Sequence, residues 1–398
     1  MKMSNFEIVR EKLDQAVQVL REKKVDLWIT LVRETRQVTD PCLDLLLGFD
    51  LTWQSALMIS RTGERIAIVG RYDADNVERL GGYTTVIGYD RSFREPLLSH
   101  LTRLNPRKVA LNFSESDPAA DGLTHGMFRV LAKMIADQEC ASRLISAEEV
   151  IGALRGRKSP SEVARIQAAI RETQAIFTRI ASQIRPDVTE WEIAAWFQDV
   201  AAQEGMGLAW EAEYCPAVTA GPDSSIGHAM PGDSVLRRGN LLQVDFGVSK
   251  DGFVSDLQRT WYLLDEGETA PPAEVQAGWQ AARAALEAGR AMLRPGVRGW
   301  EVDQAARESL TQAGYPEYMH AFGHHIGRSA HDGATVLGPR WERYGTSIEG
   351  MVEVRNVFAI ELGVQVPEYG YIGCEENVIV TAEGAEYLSD PQLDLWCI

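Results

Sequence analysis

Two late segments of the chain, Leu241–Ser249 (LLQVDFGVS) and Phe253–Leu263 (FVSDLQRTWYL), are rich in apolar and β-branched residues. Lys250-Asp251-Gly252 separates them, and Asp-Gly is a favoured two-residue hairpin turn. With Asp251-Gly252 at the turn, Lys250 pairs with Phe253 and Gly247 lies opposite Asp256. Asp245 then becomes the diagonal neighbour of Asp256 on one face of the hairpin. An apolar hairpin carrying two carboxylates on one side is a poor plain core sheet, because each buried charge needs a partner.

A second strand pair is expected from Val357–Gly363 (VFAIELG) and Tyr371–Thr381 (YIGCEENVIVT), which carry Glu361 and Glu375. His324 stands in the Gly-flanked run Gly323-His324-His325-Ile326-Gly327. Taken singly, a strand carboxylate usually faces solvent or pairs with Arg, and such a histidine is usually a hydrogen-bonded loop or core residue. Together they say more. If Asp245, Asp256, His324, Glu361 and Glu375 converge, four negative charges must be neutralised. Two divalent ions balance them, with hydroxide as the nucleophile, so the set implies a two-metal hydrolase. Oxygen and nitrogen donors suit Mn²⁺, Co²⁺, Fe²⁺ or Zn²⁺ without ranking them.

Val244-Asp245-Phe246-Gly247, Ser255-Asp256, the GHHIG run, Ile360-Glu361-Leu362-Gly363 and Cys374-Glu375-Glu376 resemble the successive motifs of the pita-bread metallopeptidases. That family includes methionine aminopeptidase, aminopeptidase P, prolidase and the metal-free creatinase. The resemblance covers residues 155–398, and the N-terminal part more loosely. It implies that Asp245 chelates one metal, that Asp256 and Glu375 bridge two, and that His324 and Glu361 complete the other. Glu361 is also the implied proton-handling carboxylate. It further implies that His331, seven residues after His324, and His228, in Ile226-Gly227-His228-Ala229, assist the substrate without binding metal. The resemblance also implies a homodimer.

The chain departs from the family pattern at several places. Leu362 replaces the usual Pro after the first glutamate, and Gln365 holds a position usually occupied by Tyr. Gly373 stands where Xaa-Pro enzymes carry Arg, and Glu376 where Asp is usual. The common His-Glu pair is His331-Asp332, and His325 takes the place of a Gly. All five ligand types are retained. The expectation is an Xaa-Pro dipeptidase, or prolidase, with a peptide substrate. Aminopeptidase P, a creatinase-like hydrolase without metal, and a non-catalytic pita-bread peptide-binding protein are the alternatives. A dipeptidase must hold a free carboxylate, best done by a bidentate Arg. Arg328, Arg340, Arg343 and Arg355 are the candidates to replace the one missing at Gly373.

Composition fits this expectation. The 398 residues allow two or three domains, with 45% hydrophobic and 24% charged residues. A net charge of −17 argues against nucleic-acid binding. The start, MKMSNFEIVREKLDQ, lacks an apolar signal core, and no run approaches membrane-helix length. Five scattered cysteines point to reduced thiols and a cytoplasmic location; Cys374 is expected to be a buried, inert thiol. Alternating strands and helices in residues 1–153 indicate an α/β N-terminal domain. Residues 154–398 form the α+β pita-bread catalytic domain, whose fold the resemblance supplies. Leu154–Pro160 reads as a basic linker, with Ser159, Pro160 and Glu162 opening a long helix.

Overall fold

The computed structural model describes residues 4–227 and 229–398. The chain divides into two compact units, residues 1–155 and 156–398.

Six strands form the sheet of the first unit: β1 (Leu27–Val32), β2 (Ser55–Ser60), β3 (Arg65–Gly70), β4 (Thr85–Tyr89), β5 (Val109–Leu111) and β6 (Leu144–Ser146). Their order is β4-β3-β2-β1-β5-β6. β1–β2 and β2–β3 run antiparallel; the outer pairs are parallel. Alternation along each strand divides its residues between two cores. Trp28, Leu57 and Ala67 pack with Leu13, Ala16 and Leu20 of the first helix, Ser4–Glu22. Their neighbours Ile29, Met58 and Ile68 pack with Leu97, Leu101, Met127 and Leu131 from two other helices.

The segment expected to be a basic linker is not one. A helix runs from Glu148 to Gly156, and Lys158 is 1% exposed, its ammonium paired with buried Asp332. Arg157 binds Glu353 at 2.7 Å. Basic residues looked like solvated linker because their partners lie about 170 to 200 positions later in the chain. The capping box is present: Ser159 accepts from the Glu162 amide, Glu162 caps in return, and Pro160 opens the helix Pro160–Ala181.

In the second unit the strands that matter are β7 (Ala217–Ala220), β8 (Leu241–Phe246), β9 (Leu257–Tyr262), β10 (Gly323–His325), β11 (Val357–Val366) and β12 (Gly370–Val380). They lie in the order β10-β11-β12-β9-β8-β7, each antiparallel to its neighbour. Two short strands complete an eight-stranded sheet. One side of β11 and β12 sends Leu362, Val364, Val366, Ile372 and Cys374 into a core with Trp279, Ala282, Leu286 and Leu310. These come from the helices Ala273–Met292 and Gly299–Gln312. Cys374 lies in that core, and burial pushes its thiol up to about 12. The other side carries the register pairs Glu361–Glu375, Gly363–Gly373 and Gln365–Tyr371.

The hairpin turns at Asp251-Gly252, both at positive φ (50° and 80°), with Lys250 opposite Phe253. The same register continues into β8 and β9, where Phe246 faces Leu257 and Asp245 faces Gln258. Asp245 and Asp256 are therefore diagonal neighbours. The hairpin does not stay in one sheet, however. Its tip, Val248–Lys250 with Phe253–Val254, belongs to a separate three-stranded sheet. The break falls at Gly247, where a Cβ would sit 2.0 Å from the Ser255 carbonyl oxygen. The Gly247 carbonyl instead accepts from the Ala209 amide at 3.0 Å.

Candidate active site

A cavity of about 480 Å³ opens on the polar side of the sheet. Asp245, Asp256, His324, Glu361 and Glu375 all line it. Glu361 and Glu375 arrive as a cross-strand pair. Gln258 stands opposite both Asp245 and Glu375, so one residue of β9 registers the two halves of the site. His324 pairs with Ala359, two residues before Glu361 on the same face. Asp256 lies just before β9, and its backbone is clamped by Asn377: the Asp256 amide donates to Asn377 Oδ1 at 3.2 Å, and Asn377 Nδ2 donates to the Asp256 carbonyl at 2.6 Å.

Ligand atoms of Asp256, His324 and Glu375 lie within 4.8 Å of one another, a group able to hold a metal ion. His324 Nε2 is 3.8 Å from Asp256 Oδ2 and 3.7 Å from Glu361 Oε1. Its Nδ1 is 2.9 Å from the Ala330 carbonyl, which fixes the proton on Nδ1 and turns the Nε2 lone pair toward the acids. Asp245 Oδ1 and Glu375 Oε2 are buried with no hydrogen-bond partner among the described residues. Buried acceptors of that kind are costly unless a cation completes them. The donor set therefore fits divalent metal.

The electrostatics agree. In the metal-free protein burial raises the Asp245 carboxyl to about 7 and Glu361 to about 8. Burial, reinforced by the neighbouring carboxylates, raises Asp256 and Glu375 as well. These groups hold protons in the folded state that the unfolded chain releases near pH 4. Their stabilising effect is complete below that pH and is lost as pH climbs through the raised values. Chelator-treated protein should therefore lose thermal stability between about pH 4 and 8. The gain in Tm on adding Mn²⁺ should grow over the same window, read by scanning calorimetry. A gain independent of pH would contradict the proton–metal competition.

Alternation along β10 separates the adjacent histidines. His324 faces the cavity. His325 is fully buried on the opposite side, its ring 4.0 Å from that of Phe358. Burial, with the Lys158 charge nearby, lowers His325 to about 3. His324→Ala should weaken metal affinity, whereas His325→Ala should reduce stability and leave metal content unchanged. Elemental analysis of both variants decides between them; metal loss in His325→Ala alone would reverse the assignment.

His331 lines the cavity with its ring 4.3 Å from that of His324, edge to face. His228 lies outside the described residues. None of the four candidate arginines lines the cavity. Arg328 lies over the Phe253 ring at 5.0 Å. Arg340 stacks 3.6 Å above Trp300 and pairs with Glu349. Arg343 lies over Trp341 and donates to the Met319 carbonyl, and Arg355 is exposed. An arginine at position 373 would have to displace two glutamines. A Cβ there would meet Gln258 Oε1 at 2.2 Å and Gln243 Cγ at 2.9 Å. The two glutamines are joined at 3.0 Å, and Gln258 Nε2 donates to Glu361 Oε2 at 2.9 Å.

Several lining residues are not marked by any motif in the sequence: Trp210, Tyr214, Gln243, Gln258, Tyr318, His320 and Tyr371. Tyr318 and His320 belong to a segment held by Arg307, which donates to both of their carbonyls and pairs with Asp303. Alternation with a neighbouring carboxylate, Asp245, Asp256 or Glu375, could have signalled Gln243, Gln258 and Tyr371, and nothing local marks the other four.

Comparison with known proteins agrees with this geometry. Residues 164–382 match the sequence model of metallopeptidase family M24. The Xaa-Pro dipeptidase of Lactobacillus helveticus is 30% identical over 244 residues, covering 61% of this chain and 62% of that protein. The Xaa-Pro dipeptidase structure from Bacillus anthracis matches 98% of this chain and 100% of its own with a TM-score of 0.73 at 22% identity. The X-Pro aminopeptidase structure from Thermotoga maritima matches 97% of this chain and 99% of its own, with a TM-score of 0.70 at 23% identity. The fold is the pita-bread fold with an α/β N-terminal unit. With the family model spanning more than half of its length, the chain belongs to metallopeptidase family M24 and is a peptidase.

Proposed function

We propose that this peptidase uses two divalent cations to hydrolyse Xaa-Pro peptide bonds. One observation carries the reading: four carboxylates and one histidine share a single cavity, with two carboxylate oxygens left unpartnered among the described residues. In this reading Asp245, Asp256, His324, Glu361 and Glu375 hold the ions, and Asp256 and Glu375 each serve both. When bound, the ions supply Lewis acidity and lower the pKa of water. Glu361, oriented by Gln258, takes and returns the proton that travels from water to the leaving nitrogen. In this reading His331, which lines the cavity beside His324, hydrogen-bonds the substrate carbonyl. His228 is proposed, from the resemblance alone, to assist the same step. A homodimer is added on resemblance alone, and a cytoplasmic location on the scattered cysteines; light scattering that finds a monomer would count against the dimer.

Similarity to proteins named Xaa-Pro dipeptidase supports the dipeptidase reading. A second reading, cleavage of longer peptides in the manner of an Xaa-Pro aminopeptidase, is favoured by a specific observation. The described lining includes no Arg or Lys to hold a free carboxylate, and Gln243 with Gln258 fills the space above Gly373. The test compares kcat/KM for an Xaa-Pro dipeptide, its C-terminal amide and an Xaa-Pro-Xaa tripeptide, with each of Mn²⁺, Co²⁺, Zn²⁺ and Fe²⁺. Preference for the free dipeptide supports a dipeptidase, and equal or better cleavage of the other two supports an aminopeptidase. No cleavage of any of them would overturn the proline specificity.

A further inference from the structure

The geometry points to Tyr371 as a catalytic residue that donates a hydrogen bond to the oxyanion formed when the peptide carbonyl is attacked, an inference that rests on the hydrolytic reading above. The observation behind it is a pair of facing glycines. On the cavity side of β11 and β12, Glu361 faces Glu375, Gly363 faces Gly373, and Gln365 faces Tyr371. The middle row has no side chains of its own. Gly373 is overlaid by Gln258 and Gln243. Gly363 is overlaid by Tyr371: a Cβ at Gly363 would meet Tyr371 Oη at 2.2 Å and Cζ at 2.4 Å.

The phenol therefore does not stand up from the sheet opposite Gln365. It lies down across the bare glycine, its hydroxyl over Gly363, one register row from Glu361 and Glu375 and in hydrogen-bond contact with the Tyr318 side chain. Tyr371 lines the same cavity as both glutamates. Any side chain at position 363 would push the ring out of this position. Gln365, in contrast, is exposed and does not line the cavity. The hydroxyl that the sequence lacks on β11 is thus delivered from β12.

The chemistry calls for such a group. Attack by the hydroxide oxygen on the carbonyl carbon forms a C–O bond and moves the carbonyl π pair onto oxygen. The C–N bond then breaks, its electron pair goes to nitrogen, and nitrogen takes the proton that the attacking water gave up. The bond nitrogen of proline has no hydrogen to offer a partner, so recognition falls on the carbonyl side. The carboxylates that line the cavity, Asp245, Asp256, Glu361 and Glu375, are acceptors when ionised and cannot donate to an oxyanion, so Tyr371 acts beside the donor proposed at His331. A phenol, whose ordinary pKa is near 10, remains a donor at neutral pH. It needs no reorganisation, because the glycine floor already fixes it.

The test uses the full-length, metal-loaded protein and Tyr371→Phe, which keeps the ring and removes one oxygen. We expect kcat to fall by roughly 10²–10³-fold with little change in KM, the size of losing one oxyanion donor. Metal content and Tm should match the wild type. A phosphinic Xaa-Pro analogue, a stable mimic of the tetrahedral centre, should bind the variant more weakly by a similar factor. Gln365→Ala should leave all of these unchanged. A merely structural role would alter Tm or metal content and spare the distinction between analogue and substrate. Undiminished kcat in Tyr371→Phe, beside a wild type that turns over Xaa-Pro peptides, overturns this inference alone. If the wild type hydrolyses no such peptide with any of the four metals, the reading of function fails, and this inference with it.

Discussion

Asp256→Ala and Glu375→Ala are each expected to remove most of the bound metal and to reduce peptidase activity to background. These are the largest functional effects expected of single substitutions. Both residues are almost fully buried, and a ligand atom from each lies within 4.8 Å of the other and of His324. In the proposed site each serves both ions, so either loss removes ligands from two centres at once. Asp245→Ala should be milder, because Asp245 is proposed to serve one ion. Elemental analysis of the purified variants gives the stoichiometry directly, and chelation of the wild type should reproduce the loss of activity. Two ions per chain retained in either bridging variant would sink the ligand assignment, whatever the activity.

The largest stability effect should come from Arg259→Met. Arg259 is 2% exposed, and its partner Glu376 is 1% exposed. The guanidinium donates to the Gln258 carbonyl at 2.7 Å, the Glu375 carbonyl at 3.1 Å, the Asp390 carbonyl at 3.1 Å and Glu376 Oε2 at 3.2 Å. It thus ties together the two strands that carry Gln258 and Glu375. Removing it leaves the Glu376 carboxylate with Ser389 and the Gln392 amide as neutral donors. Breaking one side of a buried pair typically costs about 3–5 kcal/mol. For a unit of this size that corresponds to a fall in Tm of roughly 6–20 °C. The double variant Arg259→Met/Glu376→Leu should recover a large part of the loss, because no buried charge is then left uncompensated. A single variant whose Tm stays within about 2 °C of the wild type would show that the pair is dispensable.

The site was legible where local rules act. An Asp-Gly turn fixes the hairpin register, and a period of two fixes which residues share a face. The residue order alone therefore places Asp245 beside Asp256 and assigns Glu361 and Glu375 to strands. The capping box at Ser159 was equally plain, because its parts lie three residues apart.

What escaped the sequence lies between segments far apart in the chain. Lys158 read as linker because nothing nearby announces Asp332 as its buried partner. None of Arg328, Arg340, Arg343 and Arg355, the arginines near the ligand segments in sequence, lines the cavity. The space over Gly373 is instead filled from β8 and β9, more than 100 residues earlier. Asn377 gives no sign in sequence that it clamps the backbone of Asp256.

By itself, then, the order of residues determined the site-bearing strands, the hairpin, the shared face of Asp245 and Asp256, and the expectation of the kind of chemistry that four such charges require. Those follow from dihedral preferences, side-chain alternation and the cost of buried charge, all of which act locally or by residue type. Only the tertiary structure decided that His324 and not His325 meets the acids, that two glutamines lie over Gly373, and that Tyr371 lies across Gly363. These depend on cross-strand registers such as Gln258 with Glu375, which packing sets and which no local signal in the chain encodes.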